Sequence, residues 1–323
     1  MGEYVSADII RKNEGPVLTR KDVPYNAALV FNAGVTKYNG KYVMAFRNDY
    51  GDAEKHVLEG TNIGLAYSDD GIKWEVAPKP CFAMKTDEIE RAYDPRLTVI
   101  DGKCYMCFAI DTKHGLCGGI ASTEDFEHFD FLSMSVPDNR NMVLLPEKLN
   151  GNFVRLERPM PVYSRRHRDR FDIWLSESPD LTYWGKSRLV MGVEDVPFAD
   201  DKIGPAAPPV KTEKGWLTTF HAVRRFPGRG KNGWQDSWDK EYYAGVALLD
   251  IEDPSKVIGI GKKPLIVSDR DFETEDGFRL DVVFPGGMIL EESGEVKIYY
   301  GASDTVECLA VADVNDLIAF CLE

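Results

Sequence analysis

One pattern limits the fold more than any other: a glycine-containing turn followed by an aromatic-rich strand occurs five times in the chain. The copies read YNGKYVMAF (38–46), IDGKCYMCF (100–108), LNGNFVRLE (149–157), TEKGWLTTF (212–220) and ESGEVKIYY (292–300). Asn-Gly and Asp-Gly between apolar alternations are strong hairpin signals. After each copy comes a second strand that ends in small or polar residues and then usually an acidic turn with an aromatic or apolar residue beyond it. These read IGLAYSDDGIKW (63–74), GGIASTEDFEHF (118–129), DIWLSESPDLTYW (172–184), AGVALLDIEDPSKV (244–257) and CLAVADVNDLIAF (308–320). No long stretch sustains a helical period.

Strand pairs recurring at about fifty to eighty residues predict an all-β chain folded as a five-bladed β-propeller, a single domain over residues 1–323. Each blade is then a small antiparallel sheet facing a central channel. The quoted strands are the middle pair, weaker strands flank them, and a strand near the N-terminus closes the ring onto the last blade. A pair of β-sandwiches is the competing architecture, but it does not require one motif five times. In a propeller, loops from different blades meet at the axis, so residues far apart in sequence can share one pocket.

Candidates for that pocket are polar residues standing where strand text should be apolar. LVFNAGV and MAFRNDY carry Asn32, Arg47 and Asp49; AYDPRLT carries Tyr93, Asp94 and Arg96. DNRNMVLLP supplies Arg140 and Asn141, RLERPMP supplies Arg158, and DKIGPAAPPV supplies Lys202. LTTFHAV, KEYYAGV and YYGASDTV add His221, Tyr242 and Asp304. Each has a plain reading alone: Asp-Pro starts turns, His221 can be a hydrogen-bonded core residue, and Arg140 between asparagines can be loop surface. Their recurrence at strand ends in nearly every blade points instead to one site. Arg140, Arg158, Lys202 and potentially His221 form a cationic cluster suited to phosphate, which guanidinium groups bind in bidentate fashion and lysine as a point charge. Asp94, Asp304, Asn32 and Arg47 are suited to sugar hydroxyls.

The net charge of −14 makes this cluster notable. It also excludes nucleic acid as a partner, since such binders need a positive footprint, and disfavours adhesion to anionic membranes. No run approaches the roughly 18 apolar residues of a membrane span. The start, MGEYVSADIIRKNEGP, lacks a secretory apolar region. MGEYVS does match the M-G-x-x-x-[ST] acylation pattern, which Glu3 makes unpersuasive. A cytoplasmic location is expected. The half-site-like CYMC (104–107) lies in a strand, where positions three apart face opposite sides. Its thiols therefore read as core cysteines and not as metal ligands.

At these residues the chain resembles glycoside hydrolase family 130, the mannoside phosphorylases and related mannosidases, whose fold is a five-bladed propeller. The resemblance runs from EGPVLTR near residue 15 to YYGASDT at 299–305 and rests on VFNAGV, YDPR, NRN, NGNFVRLERP, SESPDLTYWG, KIG, FHAV, GVALLDIEDPSKV and YYGASDT. It implies that Asp94 is the proton donor. It further implies that Arg140, Arg158, Lys202, His221 and Tyr242 bind phosphate, and that Asn32, Arg47 and Asp304 contact mannose with Tyr93 and Asn141 nearby. Tyr243 competes with Tyr242 for its place, because residues 224–240 look like an insertion. Glu147 stands where relatives carry a basic residue, which points to an altered acceptor side.

The implied activity is inverting phosphorolysis of β-1,4-mannooligosaccharides, releasing α-D-mannose 1-phosphate from the non-reducing end, with inorganic phosphate as co-substrate and no cofactor or metal. Inverting hydrolases need two carboxylates, whereas phosphate, already an anion, replaces water and its base. One acid and a cationic cradle then suffice, and the resemblance implies that Asp94 protonates the leaving oxygen through the mannose 3-hydroxyl. Mannosyl-glucose, mannosyl-N-acetylglucosamine and β-1,2-mannosides are alternative substrates. A family hydrolase and a non-enzymatic propeller lectin or scaffold are the competing readings. Residues 165–170 and 224–240, with Trp234 and Trp238, are expected to line the acceptor subsites or else to bury a homo-oligomer contact.

Overall fold

The computed structural model describes residues 4–161 and 170–323 of the chain. Its strands in chain order are β1 (Arg11–Lys12), β2 (Leu29–Tyr38), β3 (Lys41–Asp52), β4 (Val57–Ser68), β5 (Glu75–Val76), β6 (Ile89–Ile100), β7 (Lys103–Thr112), β8 (Gly115–Thr123) and β9 (Asp130–Met134). They continue with β10 (Asn139–Leu144), β11 (Phe153–Pro159), β12 (Ile173–Ser178), β13 (Gly185–Met191), β14 (Lys202–Pro205), β15 (Val210–Thr212), β16 (Gly215–Arg225), β17 (Lys240–Leu249) and β18 (Val257–Ile260). The last three are β19 (Val283–Leu290), β20 (Glu295–Ala302) and β21 (Val306–Asp313). These build five antiparallel sheets arranged as a β-propeller, in orders β2-β3-β4-β5, β6-β7-β8-β9, β10-β11-β12-β13, β14-β16-β17-β18 and β1-β21-β20-β19, with β15 added to the fourth. The middle pair of each blade is the repeated pair of the sequence, and β1 closes the ring by pairing with β21.

The repeats owe their shape to two local devices. Asn39-Gly40, Asp101-Gly102 and Asn150-Gly151 all take positive φ, the two-residue primed turn that matches strand twist. After the third strand, Ser68, Thr123 and Ser178 accept the amides of Gly71, Phe126 and Leu181. The following Asp70, Asp125 and Asp180 each accept two further amides, which turns the chain into the outer strand. In the last blade the same position departs from the expected turn: Asp313 caps a terminal helix, α1 (Val314–Leu322), by accepting from the Asn315 amide.

The core is divided among blade interfaces. Val43, Ile63, Leu97 and Met106 pack between blades one and two, while Cys107, Ile120, Leu144 and Phe153 pack between two and three. Leu156, Leu175, Trp216 and Phe220 join three to four. Leu217, Val246, Val283 and Ile298 join four to five, and Val30, Met44, Ile289 and Tyr299 join five to one. Cys104 belongs to one interface and Cys107 to the next, so the two thiols do point to opposite sides of their sheet.

What places a site at the axis is a bulge repeated on the innermost strands. Pairing slips between Phe31 and Gly34, between Tyr93 and Arg96, between Arg140 and Val143, and between Pro285 and Gly287. In the first three, the extra residue takes left-handed φ: Asn32 at 52°, Asp94 at 53° and Asn141 at 58°. A bulge re-aims a side chain that the pleat would otherwise send into a sheet face. Asn and Asp are the residues that tolerate this conformation best after glycine.

Candidate active site

The bulges open onto an axial cavity of about 390 Å³. Eleven of the thirteen polar residues singled out in the sequence line it: Asn32, Arg47, Asp49, Tyr93, Asp94, Arg140, Asn141, Arg158, Lys202, Tyr242 and Asp304. His221 is fully buried directly behind it.

Asp94 lines the cavity with its side chain 12% exposed. Asn32 Nδ2 donates to Asp94 Oδ1 at 3.1 Å and Arg47 Nη1 approaches the same oxygen at 3.4 Å. Arg47 is itself fixed, donating from Nε and Nη2 to the two oxygens of buried Asp49 at 2.9 and 2.7 Å. Its guanidinium lies between the rings of Phe31 and Tyr93. Asp304 accepts from Arg279 Nη1 at 3.1 Å. Burial raises the Asp304 carboxyl above its usual range, Arg279 and Arg47 oppose that, and the nearby Asp94 adds to it. Asp49, Asp94 and Asp304 are the carboxylates among the residues that line the cavity. Two of the three are engaged with arginines of their own.

The same cavity is lined by cations from blades three and four. Arg140, Arg158 and Lys202 make no ion pair with a carboxylate among the described residues, although all three are well enclosed. Burial and then the Arg140 charge push Arg158 down to about 9, and burial with Arg158 and Lys240 pushes Lys202 well below its ordinary value. Arg140 Nε and Arg158 Nε are buried without partners among the described residues. A cluster of buried, mutually repelling cations with unused donors is a site that an anion stabilises.

Two contacts orient these cations. Arg140 Nη1 donates to the Tyr93 hydroxyl at 3.1 Å, and that hydroxyl donates to Asp111 Oδ1 at 2.8 Å; Arg91 Nε holds the other Asp111 oxygen at 2.6 Å. Arg158 Nη1 lies 3.1 Å from His221 Nε2. Because guanidinium can only donate, that nitrogen accepts and the ring carries its proton on Nδ1. Burial, followed by the charges of Arg158 and Lys202, holds His221 well below its ordinary range. His221 therefore orients Arg158 and adds no charge to the cluster.

Other expectations are resolved by position. Tyr242 faces the cavity between Lys202 and the stacked Trp238, whereas Tyr243 packs in the core against Phe198. Trp238 lines the cavity and lies under the Arg279 guanidinium at 4.3 Å. Trp234 stacks on His56 at 4.2 Å, bridging residues 224–240 to blade one. Residues 165–169 lie outside the described residues. The expectation for Glu147 is corrected: it pairs with Lys211, which with Pro146 lines a hollow at the far ends of the inner strands, away from this cavity. Arg96, next to Asp94 in sequence, does not bond its carboxylate. All four of its hydrogen bonds go to backbone carbonyls: Nε to Ala206, Nη1 to Asn32 and Pro95, and Nη2 to Pro285. Asp111 and Arg279 were not foreseen as site residues. Their signal is faint, since a carboxylate in a hairpin and an arginine before a strand are common features.

A five-bladed propeller whose axial pocket is lined by carboxylates and by buried cations defines a class of carbohydrate-active protein. The chain belongs to glycoside hydrolase family 130: residues 6–323 match the family model described as beta-1,4-mannooligosaccharide phosphorylase. It is 31% identical to a beta-1,2-mannobiose phosphorylase of Thermoanaerobacter sp., over 94% of this chain and 97% of that one. It is 29% identical to a beta-1,4-mannooligosaccharide phosphorylase of Ruminococcus albus, over 97% and 91%. The crystal structure of a beta-1,2-mannobiose phosphorylase of Listeria innocua with beta-1,2-mannobiose superposes with a TM-score of 0.81 at 25% identity, covering 97% of this chain and 99% of that one. Among the described residues, no helix is long and apolar enough to cross a membrane.

Proposed function

We propose that the protein is an inverting phosphorylase of β-mannosides, acting on β-1,4-mannooligosaccharides and releasing α-D-mannose 1-phosphate from the non-reducing end. The observation that carries this reading is the set of buried cations Arg140, Arg158 and Lys202, unpaired with any described carboxylate, lining the same cavity as Asp94. A hydrolase needs a second carboxylate free to activate water. Here Asp49 and Asp304 are both held by arginines.

In this mechanism Arg140, Arg158, Lys202 and Tyr242 hold inorganic phosphate in line with the anomeric carbon. Asn32, Arg47 and Asp304, with Tyr93 and Asn141 beside them, hold the terminal mannose. A phosphate oxygen forms the new bond to C1 as the glycosidic C–O bond breaks on the opposite face. The Asp94 proton passes through the mannose 3-hydroxyl to the leaving oxygen, and Asp94 is left as carboxylate. Orientation and charge neutralisation at a preorganised site supply most of the rate.

A second substrate, β-1,2-linked mannobiose, is favoured by the 31% identity to a phosphorylase of that name. The reverse reaction decides between the two. The protein is given α-mannose 1-phosphate and mannose, and the linkage of the product is read by NMR. A β-1,4 product supports the first reading, a β-1,2 product the second, and no transfer from mannose 1-phosphate contradicts both.

A further inference from the structure

Glu307, the second residue of β21, is fully buried. Its Oε2 accepts from the Ala33 amide at 3.0 Å, and its Oε1 has no partner among the described residues. Ala33 follows Asn32 in the first-blade bulge, and Arg96 Nη1 donates to the Asn32 carbonyl at 3.0 Å. The Asn32 carbonyl and the Ala33 amide are the two ends of one peptide plane. One buried side chain from blade two and one from blade five therefore hold that plane from both ends. Its orientation sets the backbone torsion that aims Asn32 Nδ2 at Asp94 Oδ1.

The surroundings leave the bulge no other place to go. A Cβ on Gly301 would lie 2.2 Å from Asn32 Oδ1, and one on Gly286 would lie 2.0 Å from the Ala33 carbonyl oxygen. Burial raises the Glu307 carboxyl to about 8. The Ala33 amide and Arg96 oppose this rise and Asp94 adds to it, with the Cys308 thiol also close by. Near neutral pH the group is then mostly an uncharged acceptor and not a stranded carboxylate.

We propose that Glu307 and Arg96 are positioning residues that clamp the Asn32–Ala33 peptide and so fix the hydrogen bond that Asn32 makes to Asp94. The proposal rests on the reading of Asp94 as proton donor. Glu307 touches neither sugar nor phosphate in this scheme and acts through Asn32 alone.

The test compares Glu307→Gln, which keeps a carbonyl acceptor for Ala33, with Glu307→Leu, which removes it. Glu307→Leu is expected to lower kcat at least tenfold and to displace the pH profile of kcat, while the phosphate KM stays within twofold because the cations sit in blades three and four. Glu307→Gln is expected to stay within about threefold of the wild-type kcat. Full activity in Glu307→Leu, an equal loss in both variants, or a phosphate KM that rises as far as kcat falls would overturn the proposal. If Glu307→Leu does not fold, Asn32→Ala replaces it: it must show the same kcat loss and displaced profile, and wild-type kcat there overturns the proposal. Failure of the phosphorolysis reading is seen separately, as wild-type protein that turns over no mannoside. Crystal structures still decide in that case, with Asn32 in place against Asp94 in Glu307→Gln and withdrawn in Glu307→Leu or, if that protein does not fold, with the Ala33 amide still bonded to residue 307 in Glu307→Gln.

Discussion

Arg158 and His221 meet at 3.1 Å behind the cavity wall, and the geometry makes the histidine the acceptor. A neutral imidazole thus sets the direction of a guanidinium that has no carboxylate partner among the described residues. This is how a site can present a positive charge to a small anion without an internal anion competing for it.

Replacing that guanidinium separates binding from chemistry. Arg158→Ala should raise the phosphate KM by roughly 10- to 100-fold, the worth of one or two charge-assisted hydrogen bonds. Arg158→Lys should recover only part of the loss, since lysine lacks the bidentate fork. Steady-state kinetics with varied phosphate checks both, and an unchanged KM would remove Arg158 from the phosphate site.

Asp94→Asn keeps the shape and the contacts with Asn32 and Arg47 while removing the transferable proton. The expected loss in kcat is about 10²- to 10⁴-fold, the usual scale of general acid catalysis. Phosphate should still raise Tm in this variant, by mass action on the folded state, and at the same concentration should raise it far less in Arg158→Ala. Differential scanning calorimetry with and without phosphate reads the two variants side by side.

The buried imidazole also predicts a pH dependence of stability. His221 is held below its ordinary 6.5 in the folded state, so below that pH the unfolded chain takes up a proton that the folded one refuses. Its contribution is therefore fully present above about pH 6.5 and falls by about 1.4 kcal/mol per unit as pH drops further. Denaturant unfolding of wild type and His221→Gln at pH 5 and pH 7.5 should show the difference shifting in favour of the variant at the lower pH. A difference that does not change with pH would contradict the neutral assignment.

Gly286 tests the axial packing. A Cβ there would stand 2.0 Å from the Ala33 carbonyl oxygen, a backbone atom that cannot swing aside. Gly286→Ala should lower stability by about 1–3 kcal/mol, as overpacking does, and kcat should fall with it because the same bulge carries Asn32. Gly102→Ala, at a turn with open space around it, lacks the clash and should leave kcat unchanged.

Much of this was legible before the structure. Five turn-and-strand repeats predicted the blades, and three of them carry the Asn-Gly or Asp-Gly turn chemistry at Asn39, Asp101 and Asn150. The polar residues Asn32, Asp94 and Asn141 stood out because a bulge needs a residue that accepts left-handed φ and then points it off the pleat. What sequence does not carry is direction. Arg96 sits two positions from Asp94 yet directs four N–H donors to carbonyls of four blades, and Tyr93 reaches Arg140 instead of facing a sugar alone. Glu147 was misplaced because the position of a residue along an inner strand decides which mouth of the channel it reaches. Asp111 bonds the side chains of Arg91 and Tyr93 and Glu307 bonds the Ala33 amide, and such contacts leave no local pattern.

The central claim is that phosphate, and not water, attacks the sugar opposite Asp94. Incubating the protein with β-1,4- and β-1,2-mannobiose, with and without inorganic phosphate, and following the phosphorus NMR spectrum tests it most directly. The account predicts α-mannose 1-phosphate in the phosphate samples and no turnover without phosphate. Free mannose appearing equally in both, with phosphate unconsumed, would contradict it.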